Sequence, residues 1–313
     1  MYYSYFPTKL SDGMTQDPEL QIRILKEKLA EADAVLVGGG AGLSTAAGFT
    51  YSGERFRKYF RDFEEKYKVH DMYSLGFYPF KSLEAFWGYW CRSIWVNRYM
   101  PIPSDVYQNL FDLVKEKDYF VLTTNVDHCF QKAGFDKHRL FYTQGDYGLF
   151  QSISPRGIAR AKTYDNYEII RRMVLSEGFE IAENGELIIP ENADIKMTVP
   201  SEMVPKCPDD GNWMTTNLRI DDSFVEDAGW KAACDRYQDF LRWHQGMKVL
   251  YLELGVGNNT PVIIKYPFWK YTKENKKAFY VCVNKGEACC PKEIDDRSVC
   301  IDGDIADVIR NLF

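Results

Sequence analysis

Apolar residues in this chain fall into short β-prone runs separated by stretches of helical period. The runs are Ala34–Val37, Tyr119–Thr123, Leu140–Tyr142, Met247–Leu254, Phe279–Val283 and Val299–Ile301, each with the length and residue types of a buried strand. Between them, Asp17–Ala30 spaces Leu20, Ile22, Ile24, Leu25 and Leu29 as one helical face, with Pro18 in the first turn. Val106–Lys115 repeats that amphipathic pattern, and Ile305–Leu312 reads as a closing helix. Strands that alternate with helices predict an α/β fold: a doubly wound, parallel, six-stranded, Rossmann-like sheet.

Two stretches interrupt the alternation. Tyr51–Pro103 is dense in Phe, Tyr and Trp, and Leu83–Tyr99 within it predicts a helix carrying Phe86, Trp87, Trp90, Ile94 and Trp95, ended by Pro101 and Pro103. An aromatic stripe at helical spacing is read as a packed subdomain in preference to a ligand box. Residues 150–240 are polar and bear Pro and Gly, with a hairpin signal at Asn184-Gly185 and a helical pattern over Trp230–Trp243. The expected division assigns 1–50, 104–150 and 241–313 to the Rossmann-like dinucleotide-binding domain. Residues 51–103, a helical insertion, and 151–240, a small module, form a second domain.

Composition narrows the classes. At 313 residues, 27% charged, 45% hydrophobic and net charge −6, the chain can bury a sizeable core. It lacks the basic run that tracks a phosphate backbone, so nucleic acid is not an expected partner. No stretch of about 18 apolar residues offers a membrane span, and Met1–Asp12 lacks the charged and apolar regions of an export signal. The expected location is the cytoplasm. Eight cysteines, at 91, 129, 207, 234, 282, 289, 290 and 300, include no C-x-x-C pair. Cys207-Pro208-Asp209-Asp210-Gly211 has the form of half a zinc knuckle with Asp210 where the second thiolate belongs. The small module is therefore expected to be a degenerate, zinc-ribbon-like unit without metal.

The chemistry points to the strand ends. Ala34–Val37 runs into Gly38-Gly39-Gly40-Ala41-Gly42 and then a helix-compatible segment. Glycines there allow a backbone to approach a bulky anion beside a helix N-terminus; the same residues also suit a tight turn. The spacing is not G-x-G-x-x-G, and Thr50–Tyr78 contains no second strand ending in an acid, which argues against an ordinary dehydrogenase. Polar clusters follow five further strands: Asn125/Asp127, Gln144/Asp146, Gly255/Gly257/Asn258, Asn284 and Asp304. In a doubly wound sheet these ends converge.

Thr123-Thr124-Asn125-Val126-Asp127-His128-Cys129-Phe130-Gln131-Lys132-Ala133-Gly134 resembles the T-Q-N-x-D-x-L-H-x-x-A-G signature of the sirtuins. Gly40-Ala41-Gly42-Leu43-Ser44, with Gly48 four residues on, is similar to their cofactor loop; Gly255-Val256-Gly257 stands for their G-T-S, and Asn284 for an adenosine-binding Asn. The resemblance covers nearly the whole chain in order. It implies NAD as co-substrate, cleavage of the nicotinamide–ribose bond, and attack of a nucleophile at an oxocarbenium-like C1′. It also implies that Asn125 meets the ribose hydroxyls or a water on the carboxamide side and that Asp127 engages the carboxamide of nicotinamide. Phosphate and adenosine contacts would come from Ser44, Gly257, Asn258 and Asn284. The implied cofactor-binding set comprises Gly40, Ala41, Gly42, Ser44, Thr45, Thr50, Tyr51, Arg55, Asn125, Asp127, Gln144, Gly255, Gly257, Asn258, Asn284, Asp304 and Ile305.

The departures from the family pattern decide the reaction. Where sirtuin deacylases place a general-base His before a Gly, this chain has Gln144 in Thr143-Gln144-Gly145-Asp146-Tyr147-Gly148. An amide has no useful pKa and cannot take the ribose hydroxyl proton. The G-I-P-x-F-R stretch is replaced by Gly48-Phe49-Thr50-Tyr51-Ser52-Gly53-Glu54-Arg55-Phe56. Both features resemble the macrodomain-linked, class M branch, whose members ADP-ribosylate lipoyl-carrier proteins related to the glycine cleavage H protein. The implied function is ADP-ribosyl transfer to a partner protein, with Asn125, Gln144, Asp127 and Asp146 as catalytic residues and a macrodomain hydrolase as a possible partner. Lysine deacylation, with Asp146 as a rerouted base, and a catalytically dead NAD- or ADP-ribose-binding module are the alternatives. Arg55 either neutralises a phosphate or pairs with Glu54. His128 is expected to pack, and His70, His138 and His244 to be structural.

Overall fold

All six expected strands form one parallel sheet in the order Ser298–Ile301, Phe279–Val283, Val249–Leu254, Ala34–Gly39, Asp118–Thr123, Leu140–Tyr142. The computed structural model describes residues 9–258 and 260–313; the expectation about Met1–Asp12 concerns residues mostly outside these. Val249–Leu254, Ala34–Gly39 and Phe279–Val283 are buried along their whole length. Helices cover both faces, so these strands read as continuous apolar runs. The chain builds outward from Ala34–Gly39 to Leu140–Tyr142, then returns to pair Val249–Leu254 on the other side of Ala34–Gly39. That reversal is a topological switch point, and it opens a crevice beyond the glycine turn.

Local chemistry sets the helix bounds. Pro18–Glu31 begins after Asp17, whose carboxylate accepts from the Glu19 and Leu20 N–H groups. Ala228–Trp243 begins after Asp227, which accepts from Trp230. No helix among the described residues is long and apolar enough to cross a membrane.

The second unit has a helical half and a β half. Its helices include Gly53–Tyr67 and Leu83–Ile94, the latter continuing into a π-helical turn, Trp95–Tyr99. Trp87, Ile94 and Trp95 are buried in its core, while Trp90 also forms part of a cleft wall. Gly145–Ser152 pairs antiparallel with Tyr164–Asp165 and Met214–Leu218, and the hairpin signal at Asn184-Gly185 joins Glu180–Ile181 to Leu187–Ile188. Two elements lie across the expected divisions. Gly145–Ser152 belongs to this small sheet, because its backbone finds antiparallel partners only there. Ala228–Trp243 lies on the main sheet, where Tyr237 and Phe240 meet Phe120, and Tyr237 also meets Phe141.

The expected zinc-ribbon likeness reduces to a turn closed by a carboxylate. Among the described residues no group of three or more His, Cys, Asp or Glu is arranged to hold a metal. Asp210 accepts from the Asn212 N–H at 3.0 Å, the Ser152 hydroxyl at 2.8 Å and the Arg156 N–H at 3.1 Å. Partial burial opposes ionisation there, but these donors hold its carboxyl down at about 2. Cys207 is buried beneath, its thiol donating to the Tyr164 hydroxyl at 3.3 Å.

Arg92, 1% exposed, ties the helical half together. It donates to Glu177 through Nε at 2.9 Å, to Asp62 and the Tyr59 carbonyl through Nη1, and to the Lys196 carbonyl through Nη2. Glu177 is fully buried, and among the described residues its Oε1 has no hydrogen-bond partner within ordinary geometry. Burial outweighs the attraction of Arg92 and raises this carboxyl from 4.5 to about 8. A carboxyl raised in the folded state contributes fully below its unfolded value and loses that contribution as pH climbs through the folded one. Stability to urea is therefore expected to fall between pH 4.5 and about 8, and Glu177→Gln to flatten the slope. A level wild-type profile across that window would contradict this account.

Candidate active site

A cleft of about 690 Å³ lies beyond the sheet at the switch point, between the main sheet and the second unit. Its first wall is the glycine turn. Strand Ala34–Gly39 ends at Gly40, which precedes the short helix Ala41–Ala46. A Cβ on Gly40 would lie 2.5 Å from the Gly255 carbonyl oxygen, and one on Gly42 2.7 Å from the Gly255 Cα. Gly255 has φ +65° and accepts from the Gly42 N–H at 2.9 Å. Gly40, Gly42 and Gly255 are thus glycine because two loop backbones touch there; Ala41 and Thr45 present the turn's cleft-facing surface.

The floor is a polar network on the signature segment. Asn125 Nδ2 donates to the Gly40 carbonyl at 2.9 Å and to Ser44 Oγ at 3.0 Å, with Tyr107 OH at 3.3 Å. Ser44 Oγ donates to Asp127 Oδ2 at 2.5 Å and lies 2.8 Å from Tyr107 OH. Asp127 Oδ1 accepts from the Cys129 N–H at 3.0 Å. Ser44 lines the cleft and is 6% exposed, and its hydroxyl, so engaged, orients Asn125 and Asp127.

Gln144 lines the cleft on the turn between Leu140–Tyr142 and Gly145–Ser152; among the described residues its Nε2 reaches only Thr143 Oγ1, at 3.3 Å. Asp146, two residues on, is turned away. Its carboxylate accepts from Arg98 Nε at 2.6 Å, His128 Nδ1 at 2.7 Å and the Gly148 N–H at 2.7 Å. Burial opposes its charge, yet His128 and Arg98 hold the carboxyl below its ordinary value. His128 therefore pairs with Asp146 as well as packing. None of the four histidines lines the cleft: His70 meets Glu64, and His244 meets Asp118 and the Phe240 carbonyl.

The Thr50–Ser52 loop forms the opposing wall. Arg55 is not among the residues lining the cleft, and its guanidinium is bonded to groups other than Glu54. It donates to the carbonyls of Thr50 at 3.0 Å and Val96 at 2.5 Å and to Asn97 Oδ1 at 2.9 Å, and it stacks over Phe49. A guanidinium with five donors satisfies several backbone carbonyls at once, so Arg55 pins the loop to the π-helical turn.

The remaining expected residues sit at the ends of the next strands. Asn258 is exposed, its N–H bonded to Glu287 at 3.1 Å, beside the half-buried Gly257. Asn284 donates to the Val256 carbonyl at 3.1 Å. Asp304 and Ile305 stand apart from the cleft: Asp304 caps the helix Ile305–Arg310, and Ile305 is buried in the main core.

No family model matches the chain. Over 291 residues it is 37% identical to a protein ADP-ribosyltransferase of Staphylococcus aureus (strain Mu50), covering 92% of this chain and 86% of that one. The chain belongs to the family of that protein ADP-ribosyltransferase. Another relative in this family is a probable bifunctional ADP-ribose hydrolase/ADP-ribosyltransferase of Fusarium oxysporum f. sp. cubense, 30% identical over 325 residues; this chain spans 98% of its own length there and 50% of that longer protein. The fold is the sirtuin fold. A Sir2 homolog–NAD complex superposes with a TM-score of 0.55 at 15% identity, covering 96% of this chain and 94% of that one. Sir2Tm bound to a propionylated peptide does so with 0.53 at 16%, covering 92% and 95%.

Several cleft residues carry no sequence signal. Arg219 and Ile220 arrive because Leu218 pairs with Gly145 and the Arg219 N–H donates to the Gln144 carbonyl. Trp90 and Tyr147 enter from the aromatic module and the small sheet. Strand pairing puts Arg219, Ile220 and Tyr147 here, and the packing of helix Leu83–Ile94 puts Trp90 here.

Proposed function

We propose that this chain transfers ADP-ribose from NAD to a side chain of a lipoyl-carrying protein related to the glycine cleavage H protein, releasing nicotinamide in the cytoplasm. The observation that carries this reading is Gln144 at a cleft with no histidine in its lining. An amide can hold a hydroxyl by hydrogen bonds but cannot accept its proton. Asp146, the alternative base, has its oxygens engaged by Arg98, His128 and Gly148 outside the cleft, which speaks against deacylation.

The cleft's size lies within the ordinary range for a bound small molecule. NAD would supply a labile bond between ribose C1′ and nicotinamide. Asn125 would present its carbonyl oxygen to the ribose and Gln144 its amide, while Asp127 would keep the lone pairs left by Ser44 and Cys129 for the carboxamide. These fixed dipoles would hold developing positive charge on the ribose without reorganising. The glycine turn, with Ala41 and Thr45, would face the phosphates, and Asn258 and Asn284 the adenosine. The mouth is apolar, with Tyr73, Phe77 and Ile220 all more than half exposed, which suits an acceptor carrying a long hydrocarbon arm. The Fusarium relative's joint name favours a macrodomain-type hydrolase as partner, and eight free cysteines fit a reducing cytoplasm.

Incubation with labelled NAD and a lipoylated carrier protein, read by mass spectrometry, tests this. Label retained on the carrier supports it. O-acyl-ADP-ribose formed from an acylated peptide would replace it with deacylation, and no release of nicotinamide would leave a binding module. Gln144→Ala is expected to keep NAD affinity within about twofold while transfer falls roughly 100-fold.

A further inference from the structure

Two tyrosine hydroxyls in the cleft hold one proton more than their partners account for. Tyr51 stands on the loop after the glycine turn and Tyr147 on the strand Gly145–Ser152, and both line the cleft. Their hydroxyl oxygens are 2.9 Å apart, and neither makes another hydrogen bond to a described residue. Each phenol carries one donor. One proton closes the mutual bond; the other remains free to meet a ligand. Burial is the main reason both phenols titrate far from neutrality, Tyr147 being pushed up to about 12 and Tyr51 well above its ordinary value, so both protons are present at neutral pH.

The pair is rigidly mounted. The Met72 N–H donates to the Tyr51 carbonyl at 2.9 Å, and the Tyr147 N–H donates to the Val126 carbonyl at 2.9 Å, within the Asn125–Asp127 segment. The Asp127 carboxylate is close enough to act on both phenols. A spare O–H donor and an acceptor-only carboxylate therefore line the same cleft, together with the flat apolar surfaces of Phe49 and Trp90. A primary carboxamide on an aromatic ring needs that set: a donor for its oxygen, an acceptor for its NH2, and apolar faces for its ring.

We propose that the Tyr51–Tyr147 hydroxyl pair is the donor that receives the carboxamide oxygen of nicotinamide, with Asp127 accepting from the amide nitrogen. This rests on the NAD reading above. The pair acts as a binding element: it selects the nicotinamide end of the dinucleotide and fixes the ring before its bond to ribose breaks. It also spans both walls of the cleft, so a merely structural latch is the competing role.

Calorimetric titration separates the two, with NAD and with ADP-ribose, which lacks nicotinamide. Replacing both residues, Tyr51→Phe with Tyr147→Phe, removes the hydroxyls while leaving no orphaned partner and keeping the rings. The double variant is expected to bind NAD about tenfold more weakly and ADP-ribose within about twofold of wild type. Unchanged NAD affinity would overturn the proposal. Equal weakening for NAD and ADP-ribose would also overturn it, in favour of a latch. Wild-type protein that bound neither ligand would remove the NAD reading itself, and this inference with it.

Discussion

Asn125→Ala is expected to lower nicotinamide release and ADP-ribosyl transfer by about two to three orders of magnitude, a larger loss than any other single change in the cleft. Asn125 joins the glycine turn to the Ser44–Tyr107–Asp127 network: its Nδ2 meets the Gly40 carbonyl, Ser44 Oγ and Tyr107 OH. Its removal takes away a polar group facing the proposed ribose site. It also frees the buried Ser44 and Tyr107 hydroxyls to reorient, and with them the Asp127 carboxylate that Ser44 holds at 2.5 Å. Asn125→Asp is a sharper control. An ionised carboxylate cannot donate to Gly40, and it places a second negative charge beside Asp127, so it is expected to be no better than alanine. Urea unfolding should register only about 1 kcal/mol for Asn125→Ala, which separates loss of chemistry from loss of fold. A variant retaining more than about a tenth of wild-type turnover would remove this floor from the reaction.

The parts of this site legible in the sequence are those whose residues act near where they stand. The six strands are visible because a parallel sheet covered on both faces makes each strand an unbroken apolar run, as in Val249–Leu254. The glycine turn is visible because small residues gather where backbones must touch, although its neighbour turned out to be Gly255 across the switch point. Arg55 could not be assigned this way. Its partners Val96 and Asn97 lie more than forty positions along the chain, on a π-helical turn that no local pattern marks. Asp146 was hidden similarly, since Arg98 and His128 come from different elements. Exposure of a charged residue in a motif is a fair expectation from composition; which carbonyls or guanidinium will claim it is decided by tertiary packing.

The largest loss of stability is expected from Lys265→Met, at about 3–5 kcal/mol by urea unfolding. Lys265 Nζ donates to Glu253 Oε1 at 2.7 Å, and both side chains are fully buried. Glu253 also accepts from Tyr280 OH at 2.7 Å and from the Cys282 thiol at 3.4 Å. Methionine keeps most of the volume but leaves a buried carboxylate with two neutral donors, and the desolvation cost of that charge then stands uncompensated. Combining it with Glu253→Gln removes the charge as well and is expected to recover most of the loss, because the amide oxygen can still accept from Tyr280. The consequence reaches the active site. Glu253 pairs with Gly38 in the sheet, and its strand leads directly into Gly255, against which Gly40 and Gly42 close. The single variant is therefore expected to weaken NAD binding at temperatures where the fold persists, and the double variant to restore it. A cost below about 1 kcal/mol for Lys265→Met would show that this buried pair does not hold the strand, and its link to the glycine turn would go with it.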